Sequence, residues 1–218
     1  MRKKILSFIM AVLAVTSVCS AQTEKYKGDY YFYRKSHNNE VINLSYNMPV
    51  LMHANGSVEN LHGVSLDYTR MISLCDHSPL FIETGIGFGG YFGNKFTEPV
   101  DETWTDKEDV YFITAKVPVN FGYKINFNNQ DFIFPYMGIY LRSGLWGHYL
   151  VGEEEIDAFS KSTVGDINAV KYFQCGWGCG VRFTIGQLGL GVGIEKDFHN
   201  MMLDTRMTVS KVSVGYVF

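Results

Sequence analysis

Two cysteines stand four residues apart in the stretch QCGWGCGVRF, Cys175 and Cys179. The spacing is close to zinc-binding patterns and one residue longer than the Cys-x-x-Cys redox pair. On a helix the two thiols would share a face. On a strand they lie about 13 Å apart at roughly 3.3 Å per residue, too far for a disulfide or a common metal ion. A second motif, GIGFGG from Gly85 to Gly90, matches the dinucleotide fingerprint through Gly85, Gly87 and Gly90, but that chemistry needs a helix to follow, and no helical pattern does. Hydrolysis would need a nucleophile, a base and an orienting acid. The six histidines, His37, His53, His62, His77, His148 and His199, show no local pattern with serine. Acids crowd two segments: Glu98, Asp101, Glu102, Asp106, Glu108 and Asp109, then Glu153, Glu154, Glu155, Asp157 and Asp166. Oxygen clusters suit calcium, but these follow no recognised ligand spacing. No catalytic, cofactor-binding or metal site is assigned on these grounds, and no cofactor is expected.

Which backbone carries the cysteines follows from the alternation around them. Phe173, Cys175, Trp177, Cys179, Val181 and Phe183 fall on one face, and Gln174, Gly176, Gly178, Gly180, Arg182 and Thr184 on the other. Only a strand has this period of two, so the cysteines are small hydrophobes on an apolar face. The same period marks eight strands, over roughly 40–52, 61–72, 79–92, 110–124, 131–147, 170–185, 187–198 and 205–218. Short connections (Ser73–Ser78, Ile125–Gln130 and a Gly186-Gln187 tight turn) alternate with others, of which Gly93–Asp109 and His148–Ala169 are long.

The N-terminus sets the compartment. Arg2, Lys3 and Lys4 precede the apolar run Ile5–Val18, and Cys19-Ser20-Ala21 offers small residues for cleavage. That is the layout of a secretory signal peptide over residues 1–21, and the run is too short to span a bilayer as a helix. Its removal takes away three bases and no acids and moves the formal charge from −3 to −6, which argues against nucleic acid as a partner. Residues 22–39 are then a periplasmic segment, in which DYYFYRK, Asp29–Lys35, could supply part of an extra strand. Three cysteines remaining in an exported chain, Cys75 with the pair above, are no disulfide framework.

An exported chain with one apolar face per strand and short and long connections in turn is expected to form an eight-stranded antiparallel up-and-down transmembrane β-barrel over residues 40–218. A soluble sandwich would expose the other face, which is largely glycine and would make a poor solvated surface. The stretch ITAKVPVNFGYKINFNNQDFIFPYMGIYLRSGLWG resembles the outer-membrane β-barrel domain family of small porin-like proteins in Gram-negative bacteria. Val117-Pro118-Val119 and Pro135-Tyr136-x-Gly138 correspond to that family's motifs. The closing VSVGYVF, with Val212, Val214, Tyr216 and Phe218 on one face, resembles the C-terminal signal read by the barrel assembly machinery. Lys116 departs from the family, which often has an acid there. The resemblance implies an outer-membrane protein among lipid and lipopolysaccharide, with short periplasmic turns and long external loops; acidic loops would hold themselves off that anionic surface.

Strand parity points seven charges into the lumen: Asp67, Glu83, Lys116, Arg142, Arg182, Glu195 and Lys211. Enclosed charges need partners. Counting residues from the short turns pairs Glu195 with Lys211, places Lys116 at similar height, and lets Arg182 bridge Asp67 and Glu83. Eight strands leave a lumen filled by side chains. The expected role is therefore non-enzymatic, structural or surface-interacting through the long loops. The alternatives are a lipid A hydrolase or acyltransferase assembled at the rim, or a narrow small-solute channel.

Overall fold

The computed structural model describes residues 39–53, 58–74, 79–96, 107–127, 131–151, 154–159, 170–201 and 205–218. The signal peptide, the segment 29–35, Cys75, His37, His77 and most acids of the 94–109 connection lie outside these residues.

Eight strands follow one another round a barrel: β1 Asn39–His53, β2 His62–Ser73, β3 Leu80–Phe96, β4 Lys107–Tyr123, β5 Phe132–Val151, β6 Phe173–Ile185, β7 Leu188–Asp197 and β8 Thr205–Val217. Each pairs antiparallel with the next. β8 returns to β1, from Val217 opposite Val41 to Thr205 opposite His53, so the sheet closes and leaves no long unpaired edge. Gly186 makes the tight β6–β7 turn possible: its φ of 61° lies in the left-handed region that glycine adopts without strain, and Ile185 comes to face Leu188.

Two connections are shorter than their charge content suggests. β3 continues to Phe96 and meets β4 from Lys107, with Gly93 opposite Val110 and Asn94 opposite Asp109. β5 runs to Val151 and is met by a short strand, Glu154–Asp157, with His148 opposite Asp157. The first part of the expected His148–Ala169 loop, His148–Val151 and Glu154–Asp157, is therefore strand. Glu154–Asp157 reads EEID, too acidic to show the apolar alternation by which the lower strands are recognised.

Alternation divides each strand between lumen and exterior. On β1, Val41, Asn43, Ser45, Asn47 and Leu51 are buried inside, while Ile42, Leu44, Tyr46 and Met48 are exposed. On β5, a register shift between Ile113 and Thr114 of its partner leaves Leu145 as the extra residue. This bulge lets both Leu145 and Trp146 face outward. The lumen glycines do more than keep the interior small. Gly122 faces the Phe134 ring, Gly144 that of Phe159, Gly176 that of Tyr140 and Gly180 that of Tyr136, each so close that a Cβ would clash. Large rings are thus seated in notches on neighbouring walls.

Two apolar clusters close the ends. At the turn end Val41, Met71, Phe81, Phe132, Phe134 and Val217 pack together. At the loop end Leu51, Leu61, Tyr91, Val110, Phe112, Met207 and Val209 are joined by Ala158, Phe159, Val170 and Met201 from the connections. Backbone hydrogen bonds hold that cap: Ala158 N to Gly147 O at 3.0 Å, Val170 N to Ala158 O at 2.8 Å and Lys171 N to Met201 O at 3.0 Å.

Candidate functional site

Between the two caps lies a polar layer built by inward residues of β2 to β8. Glu195 on β7 accepts from Lys211 Nζ on β8 at 2.8 Å and from Lys116 Nζ on β4 at 2.9 Å. Lys116 Nζ also stands 3.6 Å from Asp67 Oδ1 on β2. Glu83 on β3, 1% exposed, accepts from Arg182 Nη2 at 2.7 Å, Thr69 Oγ1 at 2.8 Å and Asn120 Nδ2 at 3.2 Å. Nearer the loop end, Arg142 Nη2 lies 2.7 Å from both oxygens of Asp197, and Tyr140 donates to Asp197 at 2.6 Å. Gln174 Oε1 accepts from Arg142 Nε at 3.1 Å.

All seven sequence-derived charges lie buried or half-buried in the lumen. Glu195, Lys211 and Lys116 meet at one height. Arg182, however, reaches only Glu83 at ion-pair distance; Asp67 goes to Lys116 instead. Heights counted from turns ignore the stagger between strands of a tilted barrel, and that stagger decides which of two acids a given base meets. One member was missed. Asp197 shares the parity of Glu195 two residues away and is 2% exposed. The signal was present, because seven charges comprise four bases and three acids. With Asp197 the layer holds Lys116, Arg142, Arg182 and Lys211 against Asp67, Glu83, Glu195 and Asp197. The cavity left among the central members is about 30 Å³, room for roughly one or two waters.

The remaining candidates do not assemble. Cys175 and Cys179 are free thiols on the outward face of β6. Gly85–Gly90 runs extended within β3. His62 Nδ1 lies 2.6 Å from Tyr46 Oη on the exterior. His148 lies against Trp146, ring centroids 4.3 Å apart, with Nδ1 3.1 Å from Glu155. Among the described residues, no serine hydrogen-bonds to either ring. The side chain of His53 is outside the described residues, and no three His, Cys, Asp or Glu among those described converge as a metal site would require.

At the C-terminus Val212, Val214, Tyr216 and Phe218 face outward. Tyr216 donates to Gln187 Oε1 at 2.5 Å, its ring meets Phe218 edge-on at 4.8 Å, and Phe218 N donates to Glu40 O at 2.9 Å.

The exterior is the inverse of a soluble protein's. Leu44, Leu66, Phe88, Ile139, Val192 and Val214 are each half or more exposed, with a belt of similar residues between them. At about 25 cal/mol per Å² of apolar surface, such a belt favours lipid over water by tens of kcal/mol. No family model matches the sequence, and comparison with curated proteins gave no match. Among solved structures, the attachment invasion locus protein Ail of Yersinia pestis superposes with a TM-score of 0.51 at 14% identity, over 84% of this chain and 99% of that one. Neisserial surface protein A gives 0.49 at 11% identity, over 82% and 97%. A major outer membrane protein of Thermus thermophilus gives 0.47 at 13%, over 82% and 99%. The likeness to Ail shows the fold, and the outward apolar belt gives that fold its solvent: the chain is a closed eight-stranded β-barrel with the fold of an outer-membrane barrel and a lipid-facing exterior.

Proposed function

We propose that this barrel is a closed, non-enzymatic envelope protein, with a structural or surface-interaction role carried by the segments above its loop end. The observation that supports this most is the filled lumen. Apolar clusters stop both ends, and the layer between them is charge-balanced, with each of its eight charged side chains within 4 Å of an opposite charge. A solute path would have to break several buried ion pairs, each costing about 3–5 kcal/mol when one partner is left alone. Catalysis would need a nucleophile and a base in reach of each other, and His62 and His148 engage a tyrosine and a glutamate instead. In this reading the surroundings are outer-membrane lipid and lipopolysaccharide, the barrel assembly machinery inserts the chain, and the N-terminal signal is cleaved on export.

The test is conductance of the refolded protein in planar bilayers, run beside mass analysis of lipid A incubated with it. Silent bilayers and unchanged lipid A support the closed-barrel reading. Sustained conductance would replace it with the channel, and altered lipid A with the rim enzyme.

A further inference from the structure

Asp67 is the least engaged carboxylate of the polar layer. Glu83 has three donors at 2.7 to 3.2 Å, Glu195 has two lysines at 2.8 and 2.9 Å, and Asp197 has Arg142 and Tyr140. Asp67 is 6% exposed. Its Oδ2 takes only Ser65 Oγ, at 3.5 Å, and its Oδ1 is buried with no hydrogen-bond partner. Lys116 Nζ stands 3.6 Å from that oxygen, near enough to balance its charge and too far for a hydrogen bond. A buried carboxylate oxygen in that state is costly, because no donor replaces the water it gave up.

Register places that oxygen at the central cavity. Asp67 on β2 faces Gly87 on β3, and Gly87 faces Lys116 on β4. Gly87 leaves the inward side of β3 bare at this rung, and Oδ1 lies over it, 1.9 Å from where a Cβ would stand. The carboxylate thus leans across β3 beside the cavity of about 30 Å³ that it helps to line. Three acids line that cavity, Asp67, Glu83 and Glu195, against three bases, Lys116, Arg182 and Lys211. An ion of either sign would leave this balanced lining with an uncompensated charge. A water is neutral, fits the volume, and can donate to one group while accepting from another. Donors are at hand. An ammonium carries three N–H groups, and Lys116 and Lys211 each direct one at Glu195.

We propose that this cavity is a site for an internal water that donates to Asp67 Oδ1 and accepts from the bases of its lining. The water makes Asp67 a junction. On one side stands Glu83 with Arg182, Thr69 and Asn120, and on the other Glu195 with its two lysines. Among the described residues no direct hydrogen bond joins the two groups. Through Asp67 and the water they become one network, held across the middle of the barrel between the two apolar caps. The site goes beyond the role proposed above and does not depend on it.

The test is a crystal structure of the refolded protein, at a resolution that shows ordered water and with rubidium bromide as the salt. The expected result is a density peak within hydrogen-bond distance of Asp67 Oδ1 and of a base of the lining, without anomalous signal. An anomalous peak there would make the site one for a cation or an anion. That outcome overturns the proposal, as does a lysine bonded directly to Oδ1 or a cavity without density. A second measurement reads the junction from urea midpoints in lipid vesicles. Thr69→Val touches the Glu83 group and Lys211→Met the Glu195 group. Their midpoint shifts should be non-additive in the wild type and additive once Asp67→Leu removes the anchor. Additive shifts in the wild type, or non-additivity that survives Asp67→Leu, overturn the junction. Conductance separates the two readings: current would end the closed barrel, whereas a silent barrel lacking the density ends only this site.

Discussion

Glu83 is almost fully enclosed, and its charge is held by Arg182 with support from Thr69 and Asn120. Arg182→Ala leaves that carboxylate without a cation and should destabilise the barrel by about 3 kcal/mol, read from urea unfolding in lipid vesicles; a loss below about 1 kcal/mol would mean that Thr69, Asn120 and water suffice. Glu195 is shared by two lysines, so the double change Glu195→Gln with Lys211→Met should cost less than the sum of the single changes. Strict additivity would show that the 2.8 Å contact does not couple them. Lys124 is a different case, at the turn-end rim outside the spanning strands. Its Nζ sits 4.3 Å from the centre of the Phe132 ring and donates to Asn39 Oδ1 at 2.6 Å, and burial pulls its pKa down from 10.5 to about 8. Between those values the unfolded chain holds a proton that the folded protein lacks, so this group makes stability rise with pH across that window. Lys124→Met removes the effect. The wild-type midpoint should therefore gain on the variant's between pH 8 and pH 10, and parallel midpoints would count against it.

At the scale of strands, the outward face of β6 tolerates what its inward face does not. Cys175 and Cys179 meet lipid, so Ala or Val at either should fold normally and bind no zinc. Stoichiometric zinc lost on Cys175→Ser would contradict the strand geometry. Gly180 points the other way, and a Cβ there would come within 2.6 Å of the Tyr136 hydroxyl and 2.5 Å of Val192 O. Gly180→Val should cost about 1–3 kcal/mol, the usual range for overpacking, and Tyr136→Ala should return part of it. No recovery would place the strain in the backbone contact with Val192 rather than in the ring.

The molecule as a whole closes by pairing its first strand with its last, and Phe218 stands at that seam through its bond to Glu40. Its ring also lies on the outward face with Tyr216, Val214 and Val212. If that face is what the assembly machinery reads, deleting Phe218 should lower the yield in outer-membrane fractions more than it lowers refolding in detergent. Equal yields of deletant and wild type in outer-membrane fractions would assign the residue to the seam alone. Closure also explains why the interior must be neutral. A lumen sealed at both ends offers no counterions, so each base drawn inward by strand parity needs an acid drawn inward by the same rule.

Direction was legible in the sequence. The period of two runs unbroken through the lower barrel, so the strands, the outward cysteines and the seven inward charges follow from parity, which is local. Asp197 was legible in principle, on the same face as Glu195, and the surplus of one base pointed to a missing acid. Partner choice was not legible. Whether Arg182 meets Glu83 or Asp67 depends on stagger between strands far apart in the chain, and no residue count along one strand contains it. The short strand Glu154–Asp157 was hidden for another reason, because EEID is too acidic to carry an alternating apolar signal. The pairing of inward glycines with Phe134, Tyr136, Tyr140 and Phe159 was hidden too, since a glycine in sequence states that space is needed and only the folded wall decides which ring takes it.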